Sequence, residues 1–460
     1  MTFFQKNKKN ILGIILSIAL IFIGAIGQIQ GKADKLNPGY NISEPSLREL
    51  YNTVLYHLKN DYVEEITEED LWFGAIRGLL SSTKDAHTRF MTPDEFNELD
   101  IETRGNFGGL GIEISLRDGV LTVVSPIEGT PAMRAGLKPA DKIIKINKES
   151  TQDMSLAEAV KRMRGKPGTS VNITVLHLDD PEPADYDIVR EIIKIKVVSS
   201  GMIKGEKIGY VKLKQFSKTS PADMARRIDD LKKQGATSLI LDLRWNPGGL
   251  LDAAFKISNF FIKEGTIVST KGRKKGGNQV FRAHASNAIL PSLPIVVLVN
   301  EGSASASEIV TGAIKDHKRG TIVGTKTFGK GSVQRVIPLM HRTGIALTIQ
   351  KYYTPSGESI HKKGIIPNHI VESLKFTTQD KRNYKEIREK KLVKTFTKKN
   401  KEYNNATVKK FKELLKTKDL KLSDFAVRML LKQTINEYKP RELYDLEFDV
   451  QLKKAIEILN

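Results

Sequence analysis

The first strong pattern along the chain is an apolar run at residues 11–27, polar only at Ser17, lying behind Lys6, Lys8 and Lys9. At 1.5 Å per helical residue such a run spans about 26 Å, near the roughly 30 Å of a bilayer core. It predicts an export segment at residues 1–31, with everything after about Gly31 outside the cytoplasm, periplasmic or otherwise extracytoplasmic. Ala25-Ile26-Gly27 could serve as a cleavage site, but the length of the run favours a retained membrane anchor. Apolar positions then recur every three or four residues at Leu47, Leu50, Tyr51, Val54, Leu58 and Tyr62. With a second helical stretch over 68–80, this predicts a helical region over 32–104.

After Gly105 the apolar period shortens to two. Short β-runs at 111–115, 120–124, 142–146 and 171–176 are separated by glycine-containing turns, which predicts a β-rich domain over 105–180. One amphipathic helix interrupts them, with Ser155 and Glu158 as its capping box and Leu156, Ala159, Val160 and Met163 as its apolar face. The Pro-rich stretch 179–183 reads as a loop or edge connection. From 208 onward strands (208–213, 238–243, 295–299, 321–324, 344–350) alternate with helices (221–234, 251–261, 304–314), the signature of an α/β layered core over 185–375. Residues 376–460 read as helical, with 16 Lys/Arg against 5 Asp/Glu between 381 and 421. A helical hairpin or long insertion fits that stretch.

The 460 residues are 40% apolar and 28% charged, so most of the chain can bury real cores. With no cysteine, thiol nucleophiles, thiolate metal sites and disulfides are excluded. The eight histidines are scattered without a His-Glu-x-x-His pair, and neither a metal nor an organic cofactor is expected. The formal charge of +21 calls for an anionic neighbour. Export argues against nucleic acid; for residues 381–421 a lipid surface or wall polymer would be the anionic partner, and a merely solvated helical face is the simpler reading.

Three segments carry chemistry. The strand 295–299 runs into Asn300-Glu301-Gly302-Ser303-Ala304-Ser305-Ala306-Ser307-Glu308 and a helix, a junction that can lift a serine hydroxyl above a sheet beside helix N-terminal N–H groups. The same serines could simply cap the helix. Thr327-Phe328-Gly329-Lys330-Gly331-Ser332-Val333-Gln334 places one lysine in a glycine turn, where burial could keep it neutral enough to act as a base. Gln334, four residues on, could fix the lysine nitrogen if a helical turn follows. The strand ending in Asp242-Leu243-Arg244-Trp245-Asn246-Pro247-Gly248-Gly249 can present backbone N–H groups at the carboxyl edge of a parallel sheet. Together with Ala306, either Gly248 or Gly249 could complete an oxyanion hole, or the glycines could equally form a tight turn with no partner. Asp316-His317 lies about three helical turns from Ser305 and reads as a helix end.

These three motifs, in this order, resemble the C-terminal processing peptidases, or tail-specific proteases, which are Ser-Lys serine endopeptidases with an embedded PDZ domain. The resemblance spans 47–369 and includes 352–357 and 364–367. It implies an α/β serine-peptidase core with crotonase/Clp-like layers, interrupted by a β-rich PDZ domain and flanked by helical termini suited to homodimerisation. It further implies Ser305 as nucleophile, Lys330 as base, and Gln334 as the residue that orients the lysine. Phe107, Gly108, Gly109, Leu110 and Gly111 would bind the C-terminus of a protein or peptide substrate, and Arg164 would link occupancy of that groove to the catalytic centre. The family's Asp-Pro-His-Ser is replaced here by Asp85-Ala86-His87-Thr88, so His87 is expected to be structural. A non-catalytic envelope scaffold that binds C-terminal peptides is the rival reading, and intact Ser305, Lys330 and Gln334 speak against it.

Overall fold

The computed structural model describes residues 43–460 apart from 179, 181, 275, 438, 440 and 441; the apolar run at 11–27 lies outside the described residues. Among the described residues no helix is long and apolar enough to cross a membrane. The chain divides into a unit up to Leu79 and a second from Leu80 to Asn460. In the first, helix Glu44–Asn60 starts behind Ser43 with Pro45 in its opening turn, where a missing N–H costs nothing. It buries none of its residues, and Leu47, Leu50, Val54 and Leu58 are exposed. Tyr51 meets Trp72 of helix Glu68–Ser81 with ring centroids 5.9 Å apart.

The second unit is organised around a six-stranded sheet, in the order Val198–Met202, Ile208–Leu213, Ser238–Asp242, Ile295–Val299, Thr321–Gly324 and His369–Ile370. All neighbours are parallel except the first pair. Both faces are covered, which explains why the central strands read as continuous apolar runs. Leu239, Leu241, Val297 and Val299 point into a core shared with helices Ser220–Lys233, Leu251–Asn259 and Ala306–Asp316. The alternate residues Ile240, Val296, Leu298 and Val323 meet Leu452 and Ala455 of the terminal helix Val450–Leu459. That helix therefore belongs to the α/β core, although some eighty residues of chain separate it from the last core strand.

A second sheet has five strands. Its central strand Gly344–Tyr353 pairs with Arg89–Met91, Thr266–Gly272 and Ser332–Pro338, and Gln279–Arg282 continues it beyond Thr266–Gly272. The β-rich domain is a separate sheet in the order Ile112–Arg117, Val120–Pro126, Lys142–Ile146, Ser170–Leu176, Ala184–Val189. Its own core includes Leu121, Val123, Ile143, Ile173 and Met163 of helix Leu156–Met163. Ser155 Oγ accepts from the Glu158 N–H at 3.2 Å, one half of the expected capping box, while the Glu158 carboxylate pairs with Arg162 instead of returning to the Ser155 N–H. The sheet continues beyond Ser170–Leu176 into Ala184–Val189, where Asp185 and Asp187 on the outer face accept from Thr174 and Asn172. A two-stranded ribbon, Asn106–Gly109 with Glu191–Lys194, carries the chain into and out of this domain.

The lysine-rich stretch forms three short helices, Thr378–Glu389, Leu392–Lys399 and Asn405–Lys416, rather than a hairpin, and they pack with a fourth, Asp424–Ile435. Ile387, Phe411, Val427 and Leu431 make their core. Buried Asp380 joins the first to the last by accepting from the Ser423 N–H at 2.7 Å and the Ser423 hydroxyl at 2.9 Å.

Candidate active site

At the carboxyl edge of the parallel sheet, the turn after Ser238–Asp242 and the turn after Ile295–Val299 are sewn together by side chains. Asn300 Oδ1 accepts from the N–H groups of Trp245 (2.9 Å) and Gly302 (3.0 Å). Ser303 Oγ donates to the Leu243 carbonyl at 2.8 Å and accepts from the Asn300 N–H. Ser307 Oγ donates to the Asn246 carbonyl at 2.9 Å. Two of the three serines are thus fully buried and committed to the backbone. Ser305, between them, is not. It precedes helix Ala306–Asp316 at φ +54°, a conformation rare for a residue with a Cβ, held here by its surroundings.

What holds it is Glu308. This carboxylate is fully buried and accepts four hydrogen bonds, from the Thr327 hydroxyl (2.6 Å) and Gly329 N–H (2.7 Å) on Oε1, and from the N–H groups of Ser305 (2.9 Å) and Lys330 (2.8 Å) on Oε2. One oxygen therefore gathers the backbones of Ser305 and Lys330 from segments that are distant in sequence. Burial pushes Glu308 above the usual carboxylate value, against the pull of its donors. Tyr352 completes the link. Its hydroxyl donates to the Lys330 carbonyl, and the Ser305 side chain lies within its hydrogen-bonding reach. Burial, reinforced by the charge of Glu308, holds the phenol well above its ordinary pKa.

The Lys330 amine is lowered from its ordinary pKa, first by burial and then by the positive charge of Arg89, while Asp85 and Glu308 pull the other way. His87 lies in the same electrostatic neighbourhood; burial, then the charge of Lys330, lowers it. The loop carrying it is tied to the central strand through Thr88, whose hydroxyl donates to Asp85 (2.8 Å) and accepts from the Thr348 N–H (3.1 Å). Gln334 does not follow Lys330 on a helical turn, because Ser332–Pro338 is a strand. Its Nε2 donates to Ser332 Oγ at 2.8 Å and Thr348 Oγ1 at 3.0 Å, which fixes it on the sheet beside the same loop.

The two glycines left open by the sequence differ. The Gly248 N–H is taken by Asn246 Oδ1 at 2.9 Å, whereas the N–H groups of Gly249 and Ala306 have no acceptor among the described residues. Both glycines have positive φ and no room for a Cβ: one on Gly248 would stand 2.8 Å from Ser305 Cβ, and one on Gly249 2.1 Å from the Phe216 carbonyl oxygen. Behind the turn, buried Asp242 accepts from Tyr210 (2.6 Å) and pairs with Arg244, which reaches Asp449 through two bonds of 2.7 Å. Burial, the largest single influence, would raise Asp242, but the charge and hydrogen bonds of Arg244, the charge of Lys212 and the Tyr210 hydroxyl together hold the carboxyl low. At the far end of helix Ala306–Asp316, His317 is occupied with the Thr266 carbonyl at 2.7 Å.

In the β-rich domain, Phe107, Gly108 and Gly109 lie on the entry ribbon and Leu110 and Gly111 follow it. Strand Ile112–Arg117 is an edge of its sheet, facing helix Leu156–Met163. Arg164, which ends that helix, stacks over the Phe107 ring at 4.5 Å and forms an ion pair with Glu98.

Residues 207–371 match the Peptidase family S41 model, and 122–176 match a PDZ domain model. The carboxy-terminal-processing protease of Bartonella bacilliformis is 40% identical over 364 residues, covering 78% of this chain and 82% of that protein. The chain belongs to this protease family. The protease is also 35% identical over 368 residues to the carboxy-terminal processing protease CtpA of Bacillus subtilis, covering 80% and 78% of the two chains. Among solved structures it is similar to a photosystem II D1 C-terminal processing protease, at 30% identity and TM-score 0.41 over 70% of this chain and 86% of that one. It is therefore a serine peptidase with an α/β core and a PDZ domain. The sequence motif contains Glu308 but gives it no catalytic role. Its spacing from Ser305, Ser-x-x-Glu, is a capping-box signal that could have drawn attention to it.

Proposed function

We propose that this protease captures the C-terminal tail of a protein substrate in its PDZ groove and cleaves the chain at Ser305. The Ser305 hydroxyl attacks the scissile carbonyl and the neutral Lys330 amine takes its proton. The resulting oxyanion is held by the N–H groups of Ala306 and Gly249. Lys330 then protonates the leaving amine, and water releases the acyl group by the reverse sequence. Gln334, Ser332 and Thr348 position the lysine's surroundings. Exposed Trp245 and Phe328 stand ready to touch the substrate chain. The observation carrying this reading is the shared Glu308 oxygen that joins Ser305, at its positive φ, to Lys330.

Its test is pH-dependent cleavage of a C-terminal peptide, with products identified by mass spectrometry. Lysine acts as a base only when deprotonated, so kcat is expected to rise with pH through a value below that of ordinary lysine. Arg89→Gln removes a positive neighbour that favours the neutral amine, so the rising limb should move to higher pH. A limb unmoved by Arg89→Gln, or a rate flat with pH while chemistry limits turnover, would contradict Lys330 as the base.

The basic flank and apolar run at 6–27 support a membrane anchor, with the catalytic body outside the cytoplasm. The uncovered apolar stripe on Glu44–Asn60 supports a homodimer. The full chain is expected to float with liposomes and to stop doing so when residues 1–31 are removed. In light scattering of that shortened form, Leu50→Glu with Val54→Glu should convert a dimer to a monomer. Failure of either result removes the corresponding half of this assignment.

A further inference from the structure

The end of helix Leu156–Met163 abuts the loop assigned to the substrate's carboxylate. Arg164 stacks on Phe107, and the Gly165 N–H donates to the Gly108 carbonyl at 3.0 Å. A helix C-terminus carries partial negative charge on its last carbonyls, so an anion bound beside it is repelled. Here those carbonyls are covered. Arg190, buried at 8% exposure, donates from Nη2 to the Arg162 carbonyl (2.8 Å) and from Nε to the Met163 carbonyl (3.0 Å). Its Nη1 donates to the Ser170 carbonyl at 2.9 Å and to Thr169 Oγ1 at 3.0 Å.

Position and charge balance both single this arginine out. Arg190 directly precedes Glu191, the residue paired with Gly109 in the entry ribbon. A Cβ on Gly165 would stand 2.9 Å from Arg190 Nε, and a Cβ on Gly108 2.1 Å from the Gly165 carbonyl oxygen, so guanidinium, Gly165 and Gly108 are stacked without space between them. Two other arginines near the loop are neutralised, Arg164 by Glu98 and Arg134 by Glu191. Among the described residues no carboxylate pairs with Arg190, whose bonds go to carbonyls and one hydroxyl. Lys166 and Lys194 nearby are exposed, where water and salt weaken them. The N–H groups of buried Leu110 and Gly111 find no acceptor among the described residues and supply the direct contacts an anion needs.

The geometry points to Arg190 as a specificity-determining positioning residue: it outweighs the negative end of the PDZ helix and leaves a net buried positive charge behind the loop, so that the groove prefers a free C-terminal carboxylate over a neutral chain end. This rests on the reading that the Phe107–Gly111 loop receives a peptide C-terminus. An arginine held by carbonyls stays protonated across the working pH range, so the preference is built in rather than switched.

The test compares paired peptides of one sequence, ending in a free acid or an amide, by their Kd for the Ser305→Ala full chain. The parent is expected to prefer the acid. Adding Arg190→Gln should lower the acid-to-amide preference about tenfold, mainly by weakening the acid, while Arg190→Lys should keep most of it. Because the charge is buried, raising salt from about 0.05 M to about 0.5 M should change the parent's preference less than about twofold, a readout that needs no Arg190 variant to fold. A preference that collapses in salt, or that survives intact in folded Arg190→Gln, overturns the role of Arg190. Equal binding of acid and amide by the parent instead overturns the carboxylate loop on which it rests.

Discussion

Replacing Ser305 by alanine is expected to lower kcat by at least about 10⁴-fold, with the melting temperature changed by no more than a few degrees. The asymmetry follows from how the three neighbouring serines are used. Ser303 and Ser307 hold backbone carbonyls, so losing either hydroxyl strands a buried partner. Ser305 is held instead through its N–H on Glu308, which alanine retains, and its hydroxyl is left for chemistry. Lys330→Met should cost as much activity without unfolding the protein, because it replaces a half-buried amine with an apolar chain of similar length. Nucleophile and base act on one proton, so the double variant should be no slower than the worse single one. Steady-state kinetics on the three purified proteins, with circular dichroism to verify folding, decides the matter. Turnover in Lys330→Met near that of the parent would mean that another group accepts the proton.

Glu308→Gln is expected to lower kcat about 100-fold and stability by about 3 kcal/mol, with KM little changed. The carboxylate presents two oxygens to four donors, whereas an amide presents one oxygen and an NH₂ that donates. Whichever way the amide turns, one pair of donors loses its acceptor: either Thr327 and Gly329, or Ser305 and Lys330. In the second case Ser305 loses its restraint at positive φ and Lys330 loses its placement together, so the defect should fall on the chemical step. Glu308→Asp keeps the charge but withdraws it by one methylene, and should recover stability more than rate. Denaturant melts alongside kcat and KM would separate these effects. A folded Glu308→Gln protein with parental kcat would reduce Glu308 to an ordinary capping residue.

How much of this could be read in the sequence depended on how local each interaction is. The strand-to-helix junction at Ser305 and the glycine turn at Lys330 are contiguous signals, and the paired apolar faces of 238–242 and 295–299 announce a sheet covered on both sides. Gln334 misled because a four-residue spacing fits a helical turn, while the adjacent Val333 and the strand Gly344–Tyr353 draw the segment into a sheet. Gly248 and Gly249 are identical letters, separated only by where Asn246 turns its amide oxygen. The last strand of the PDZ sheet, Ala184–Val189, alternates polar and apolar residues as a half-buried strand does, but it lies beyond the prolines at 181 and 183 that read as the end of the domain. The roles of Glu308 and Arg190 arise from segments far apart in the chain, so no window of sequence contains them.

Arg244, just before the Trp245–Gly249 turn, receives part of its counter-charge from Asp449, at the head of a helix that lies beneath the sheet. That carboxylate stands 205 residues further along the chain, so the guanidinium is neutralised on both sides only once residue 449 has been made and its helix has docked. Docking of the terminal helix thus supplies the second half of the charge balance behind the Trp245–Gly249 turn.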